Sequence, residues 1–271
     1  GSLVYTNVTE HVKIGDAPAD FQRLAPSFTV SLQPWQEQLL FLRLMYKSTF
    51  RMPTFNDLYY YRLGNRSLRP EKANEYNMGI TWSRSFSSFL NYLSVTVDGY
   101  YNDVTDKIVA FPTTYAWKMA NYGKVHVTGM DATLAAAASL GKNMVLVVSG
   151  GYTWQKAIDL TDATSKSYKD QLPYTPKHSG NVSAVLEMPW VNVGYSIVGV
   201  SERYSMSQNI PENRIDGYME HTASLSRNFS FRHCKLRLQA EIINLTDTQY
   251  DVIKYYPMPG RSWRLTGTIE F

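Results

Sequence analysis

Apolar and polar residues alternate with a period of two along most of this chain, most regularly toward its C-terminus. Leu236, Leu238, Ala240 and Ile242 share one face, and Arg237, Gln239 and Glu241 share the other. Trp263, Leu265, Gly267, Ile269 and Phe271 alternate in the same way with Arg264, Thr266, Thr268 and Glu270. Leu93, Val95, Val97 and Tyr101 repeat the pattern, as do Val191, Val193, Tyr195 and Ile197. A period of two is that of a strand, whose successive side chains point to opposite faces. No segment of comparable length carries the 3.6-residue period of a helix. The pattern predicts an all-β chain with strands at 27–33, 39–50, 74–86, 91–108, 117–140, 144–157, 178–188, 191–206, 217–229, 235–246 and 260–271. A twelfth segment, 3–14, alternates less cleanly.

The connections between these strands are ordered by length. Short ones (34–38, 87–90, 141–143, 189–190, 230–234) take turns with long ones (15–26, 51–73, 109–116, 158–177, 207–216, 247–259). Such parity gathers the long loops at one end of an antiparallel sheet, as in an outer-membrane barrel with tight turns on the periplasmic side. A soluble β-sandwich has no physical reason to keep it. Several strands also exceed the five or six residues usual in soluble sheets and reach the roughly 9–11 that a tilted bilayer crossing needs. The alternation itself does not decide between the two. A sandwich turns its apolar face into a dry core, whereas a membrane barrel turns it to lipid and lines a wet lumen with the polar face.

Composition narrows the choice. The 271 residues contain 20 tyrosines and 14% aromatic residues, which suit β structure and a lipid headgroup boundary. A formal charge of +4 is too dilute to point to nucleic acid. The single cysteine, Cys234, excludes an intrachain disulfide and any multi-thiolate metal site. Apolar runs are far shorter than the roughly 18 residues of a transmembrane helix. The chain starts Gly1-Ser2 with no charged-then-apolar leader, and is expected to be a processed or truncated product.

Several spaced motifs then carry a family resemblance. Ile243-Asn244-Leu245-Thr246-Asp247, Tyr250, Tyr256-Pro257-Met258-Pro259-Gly260-Arg261 and a terminal strand ending in Phe271 resemble the end of a TonB-dependent outer-membrane receptor. Phe50-Arg51-Met52-Pro53-Thr54-Phe55-Asn56-Asp57-Leu58-Tyr59 and Gly64-Asn65-Arg66-Ser67-Leu68-Arg69-Pro70-Glu71 are similar to paired boxes of that family. Tyr100-Tyr101-Asn102 through Ile108, Asn121-Tyr122-Gly123 and Leu172-Pro173-Tyr174-Thr175-Pro176-Lys177-His178 also fit, in the same order.

The resemblance implies an antiparallel transmembrane barrel of 22 strands, of which residues 1–271 would supply the C-terminal 11 or 12. It implies an N-terminal plug and further strands, from the same protein or a second chain, because an open half-barrel leaves two unpaired edges that lipid cannot satisfy. An autonomous 12-stranded pore or enzyme is the competing architecture. The implied activity is import of a scarce nutrient across the outer membrane of a Gram-negative bacterium, energised by the TonB complex acting on the plug. An iron chelate (siderophore) ranks first as ligand, then cobalamin, then haem. Outer-membrane lipid and lipopolysaccharide are the expected surroundings, and no cofactor, metal or nucleic acid is expected. Trp263, Leu265, Ile269 and Phe271 would form the assembly signal.

Candidate ligand-binding residues come from the loops that parity places outside. Loop 51–73 carries Arg51, Arg62, Arg66, Arg69 and Lys72 against Asp57 and Glu71, together with Phe55, Tyr59, Tyr60 and Tyr61. Guanidinium groups beside aromatic faces suit a large anionic or π-rich ligand. The candidates are Arg51, Tyr59, Tyr60, Arg62 and Arg66 there, Tyr115 and Trp117 on another hairpin, and Tyr255 and Tyr256 in the last loop. Their bland roles are a headgroup belt for the tyrosines, acidic-sugar contacts for the arginines, and strand-exit shaping for Arg51 and Pro53.

Positions 54–63 hold no histidine between the paired boxes, where haem receptors of the family place one, so an axial ligand is lacking. His126, His178, His221 and His233 do not pair at metal-binding spacings. No Gly-x-Ser-x-Gly elbow, phosphate loop or ordered Ser-His-acid constellation occurs, so no enzyme is expected.

Overall fold

The computed structural model describes residues 1–9, 11, 20–87, 89–112, 116–141, 143–232 and 234–270. Twelve strands form one antiparallel sheet in chain order: β1 (Ser2–Val8), β2 (Phe21–Leu32), β3 (Leu39–Arg51), β4 (Glu71–Ser85), β5 (Leu90–Pro112), β6 (Trp117–Gly141), β7 (Met144–Asp159), β8 (His178–Glu187), β9 (Asn192–Val200), β10 (Tyr218–Ser230), β11 (Lys235–Ile243) and β12 (Ser262–Glu270). Each strand of the alternating pattern is present, and each pairs with its sequence neighbour. Among the described residues β1 and β12 are the two edges, and the sheet does not close on itself.

The register shows which side chains share a face. Ala138, Leu146, Leu186, Val193, Leu225, Ala240 and Leu265 form one row through successive pairs from β6 to β12. Met78 and Ile80, Val97, Leu134, Val182, Ile197 and Met219 belong to the same face. The other face is polar. Thr81, Thr96, Thr133, Gly151, Asn181 and Val198 form one of its rows, and Ser83, Ser94, Ala135, Ser149, Ser183 and Ser196 the next. On this polar face Arg43 pairs with Asp98 at 2.8 Å and Arg264 with Glu241 at 2.6 Å. Gly79 leaves room for the first pair, because an added Cβ would displace the Asp98 carboxylate.

The apolar face is not gathered into a core. Leu238, Leu265 and Ile269 are exposed, Leu265 to 80%, and Met78, Val182 and Met219 lie open elsewhere on the same face. A soluble sandwich would bury them, since each covered Leu or Ile side chain stabilises by roughly 1.5–3 kcal/mol. The apolar clusters that the sheet does bury lie at its loop end. Ala73, Val104, Val125, Ala157 and Leu172 form one small cluster, and Leu58, Leu68, Ile108 and Met119 another.

Most strand ends lie within three residues of the expected bounds, and the larger departures are in β2, β9 and β5. β2 begins at Phe21 rather than at 27, running through Pro26, and its ladder to β3 starts only at Ser27. Proline lacks the N–H that a second ladder needs, so the Phe21–Pro26 half pairs with β1 alone. The expected strand 191–206 stops at Val200, and Arg203–Tyr204 pair instead with Arg214–Ile215. Residues 109–112 of the expected loop 109–116 belong to β5, and β5 and β6, at 23 and 25 residues, rise beyond the rest of the wall. Part of the expected strand 3–14 lies outside the described residues, as do Tyr115, His233 and Phe271.

The two faces have opposite tolerance for charge. Val182→Arg, at the middle of the apolar face, should cost about 2–4 kcal/mol when the full-length protein is unfolded from vesicles by denaturant. Ser183→Arg, one residue on and facing the polar side, should cost less than about 1 kcal/mol. Equal costs would contradict the inverted arrangement.

Candidate functional site

The long loops meet at one end of the sheet and enclose a cavity of about 460 Å³. Lys107 and Val109 of β5 and Trp117 and Tyr122 of β6 form one side, while Leu172, Pro173, Tyr174 and Thr175 come from the β7–β8 loop. Arg203 and the last loop's Val252 and Ile253 complete it. The rings of Trp117 and Tyr174 lie 5.9 Å apart. The site is therefore largely aromatic and aliphatic with two cations, the character expected of a small-molecule pocket.

Hydrogen bonds between loops give the cavity its shape. Arg203 is 4% exposed, and its Nη2 donates to the Asp251 and Val252 carbonyls at 2.6 and 3.1 Å. Its guanidinium lies 5.7 Å from the centroid of Tyr218, which stacks on Tyr250 at 3.9 Å. Asn209 accepts from the Gln171 N–H at 2.7 Å and donates its Nδ2–H to the Gln171 carbonyl at 3.0 Å. The Tyr122 and Ser207 hydroxyls meet at 2.6 Å, and the Tyr174 N–H donates to the Tyr204 carbonyl at 2.7 Å. Lys254 donates to the Glu212 carbonyl.

The base of the last loop is fixed by Asn244, which is fully buried in a left-handed conformation with φ 53°. Its Oδ1 accepts from the Thr248 N–H and its Nδ2 donates to the Thr248 carbonyl, both at 2.9 Å. Asp247 Oδ1 accepts from the Arg261 N–H at 2.8 Å, and an added Cβ at Gly260 would come within 2.7 Å of that oxygen. The Asn-Leu-Thr-Asp and Pro-Gly-Arg motifs are thus the two halves of one clasp.

Arg203 is electrostatically incomplete. Its Nη1 is buried without a hydrogen-bond partner, and among the described residues no carboxylate forms an ion pair with it. A buried guanidinium satisfied only by carbonyls keeps a full positive charge beside the cavity, which favours an anionic occupant.

Residues 4–245 match the family described as TonB dependent receptor-like, beta-barrel. The chain belongs to the TonB-dependent receptor family. It is 25% identical over 230 residues to the vitamin B12 transporter BtuB of Photobacterium profundum, covering 82% of this chain and 34% of that protein. It is 26% identical over 231 residues to the Vibrio vulnificus transporter of the same name, covering 82% and 33%. The chain therefore spans about a third of the length of the relatives it matches. Similar folds include the ferric citrate transporter FecA in its unliganded form, at TM-score 0.71 and 15% identity, covering 92% of this chain and 38% of that one. The ferric-catecholate import receptor Fiu from K12 E. coli is also similar, at TM-score 0.66 and 20% identity, covering 92% of this chain and 35% of that one.

In this receptor chain the sequence candidates fall into separate places. Of them, Trp117 lines the cavity. Arg51 sits at the exit of β3, pairing with Asp57 at 3.2 Å and Glu71 at 3.6 Å. Asp57 also closes a capping box with Thr54 on a short helix, α1 (Phe55–Tyr59). Tyr59 packs against Phe55, and Arg66 lies over the Tyr59 ring at 5.3 Å. Arg62 has φ 64° and lies over Tyr61, while Tyr60 caps α1 and stays exposed. These five residues belong to a knob that docks Leu58 and Leu68 on Ile108 and Met119, and none of them lines the cavity. Tyr255 and Tyr256 are exposed at the tip of the small ribbon joining Asp251–Ile253 to Tyr256–Pro257. Of the residues expected to form an assembly signal, Trp263, Leu265 and Ile269 are exposed on the apolar face of β12.

The alternation puts Arg203 inside the expected strand 191–206, and Tyr174 stands out in the sequence only as part of a motif. The Ser201-Glu202-Arg203-Tyr204 interruption of the apolar alternation was the available signal.

Burial and the Glu220 carboxylate that accepts from the Tyr250 hydroxyl hold this phenol well above its ordinary range. A raised folded-state pKa means its contribution is complete below the unfolded value near 10 and is lost only as pH rises through the folded value. An ultraviolet difference titration of the full-length protein against Tyr250→Phe should thus assign to Tyr250 a phenol that stays protonated beyond the main tyrosine transition. Asn244→Leu should remove about 2–3 kcal/mol by stranding buried backbone groups, read as faster protease cleavage within 247–259.

Proposed function

We propose that this chain is the C-terminal barrel portion of an outer-membrane receptor that binds a scarce nutrient at its outer face and imports it, energised through TonB. The cavity of Trp117, Tyr122, Tyr174 and Arg203, set at the loop end of a polar lumen wall, carries this reading. The plug and remaining strands, the TonB complex and a small-molecule ligand are its proposed partners, and the bacterial outer membrane is its proposed location. Its work is binding and transport, not catalysis. The open sheet, with β1 and β12 unpaired to each other, favours a larger barrel over a self-contained pore or enzyme of twelve strands.

An anionic iron chelate is the favoured ligand, because the Arg203 guanidinium, which no carboxylate among the described residues meets, borders the cavity, with Lys107 beside it shared with Glu71 at 3.7 Å. Loop 51–73 would then form an outer rim in which Arg51, Tyr59, Tyr60, Arg62 and Arg66 meet the ligand on approach, as Tyr115, Tyr255 and Tyr256 would from neighbouring loops. Cobalamin is the second reading, favoured by the vitamin B12 transporters among the relatives.

Tryptophan fluorescence of the full-length protein tests both. A ferric siderophore should quench the signal saturably, and Tyr174→Ala should weaken its binding about tenfold, or about 1.4 kcal/mol. Quenching by cobalamin and not by any ferric chelate would move the assignment to the second reading. No response to either would overturn the proposal.

A further inference from the structure

The apolar face carries a repeated polar device. Tyr101 meets His126 Nδ1 at 3.2 Å, Tyr152 meets His178 Nδ1 at 2.7 Å, and Tyr195 meets His221 Nδ1 at 2.7 Å. In each case the tyrosine reaches two residues up the next strand from its register partner, toward the loop end. The Tyr46 hydroxyl reaches Asn74 in the same way at 3.4 Å. The device thus recurs on four successive hairpins that carry long-loop connections.

Strand length fixes its height. His178 opens the ten-residue β8, which at roughly 3.3 Å per residue and about 45° of tilt rises about 23 Å. An outward apolar band is about 25 Å tall. His178 therefore stands at the loop-side edge of the band, and the exposed Trp190 in a short turn stands at the opposite edge.

Beside the Tyr152–His178 pair the same face opens into a groove of about 450 Å³. Gly180 and Gly199 form its floor, Tyr152, Val182, Ile197 and Met219 its sides, and His178 its mouth. The two glycines differ in what they accomplish. A Cβ at Gly180 would come within 2.9 Å of the Gly151 carbonyl, so the backbone demands glycine there. A Cβ at Gly199 would meet only the Met219 side chain, at 3.8 Å. Neither φ nor crowding requires glycine at 199, and its effect is to keep the groove open.

Charge indicates what lies above the groove. The outward positions of β7 to β10 include Lys156, Arg227, His178 and His221 and no Asp or Glu. Lys156 is exposed, two residues above Trp154, the register partner of His178. By contrast His126 is met by Asp103 at 3.1 Å. The Tyr152 hydroxyl and His178 Nδ1 share a hydrogen bond, and Nε2 faces the groove mouth with no partner among the described residues.

We propose that this groove is a lipid site in which an acyl chain of a phosphorylated outer-leaflet glycolipid lies over Gly180 and Gly199, with its phosphate held by His178 and Lys156. The proposal rests on the outer-membrane reading, which places the loop-side leaflet beside His178. An apolar trough whose outward strand positions carry His178 and Lys156 at its mouth matches the two parts of such a lipid; the neighbouring loop carboxylates, Glu202 and Asp216, are engaged by Arg214 at 3.6 and 2.8 Å, and the Tyr152 hydroxyl orients the imidazole.

Native mass spectrometry of the full-length protein in micelles tests the site, with folding followed separately by heat-dependent gel mobility. The probes are diphosphoryl lipid A, phosphatidylglycerol and phosphatidylcholine. Wild type should retain lipid A at least tenfold better than phosphatidylcholine. Gly199→Leu, which fills the groove without a backbone clash, should lower retention about tenfold while remaining folded. Lys156→Glu should abolish the preference for lipid A over phosphatidylcholine, and Gly267→Leu, outward on β12, should change neither. Undiminished retention by folded Gly199→Leu, or no preference in wild type, would overturn the site. Retention of phosphatidylglycerol equal to that of lipid A would overturn the glycolipid as its occupant. A wild type without heat-dependent mobility would instead sink the membrane reading itself, and the site with it.

Discussion

In a lipid environment no water is present to satisfy a peptide group, so each N–H and C=O of a crossing strand must find its partner on a neighbouring strand. This constraint explains why twelve strands lie in strict chain order, each hydrogen-bonded to the next. It also explains where irregularity is allowed. Pro26 interrupts a ladder next to an edge strand, and the short ribbons at Arg203–Tyr204 and Asp251–Ile253 lie among the loops. Once pairing is continuous, the two-residue period sorts side chains without further instruction. Residues such as Leu238 and Leu265 go to one face, and Gln239 and Arg264 to the other.

The same continuity builds a support for function. β5 and β6, at 23 and 25 residues, outreach the rest of the wall and give the loops something to pack on. Leu58 and Leu68 dock the knob of the β3–β4 loop on Ile108 and Met119, and Leu172 anchors the β7–β8 loop on Val125 and Ala157. Between those supports lies the aromatic cavity. Its most buried charge, Arg203, both ties the last loop through two carbonyls and leaves one nitrogen unpaired. A guanidinium that is only partly satisfied keeps its charge at the base of the cavity while it ties the loops. A neutral tie would serve packing alone.

Polar groups on the apolar face follow a related logic. A lone imidazole at a lipid boundary would leave a ring nitrogen unmet, whereas a tyrosine from the adjacent strand satisfies Nδ1 and orients the ring. The repeat arises because every second strand pair presents the same diagonal neighbours, a consequence of sheet geometry and not of sequence repetition.

The sequence by itself determined the strand identities, their antiparallel order, the parity of long and short connections and the family, because all of these follow from a local period and from contiguous motifs. Asn244, Asp247 and Gly260 could be read as a motif, though their clasp required two segments to meet. Only the tertiary structure decided that Leu238, Leu265 and Ile269 stay uncovered, since alternation is the same whichever face is dry. It alone separated Trp117, which borders the cavity, from the Tyr59–Arg66 knob, and brought in Arg203, Tyr122 and Tyr174 from distant positions. Loop residues carry no periodicity, and which of them converge depends on hydrogen bonds between loops far apart in the chain.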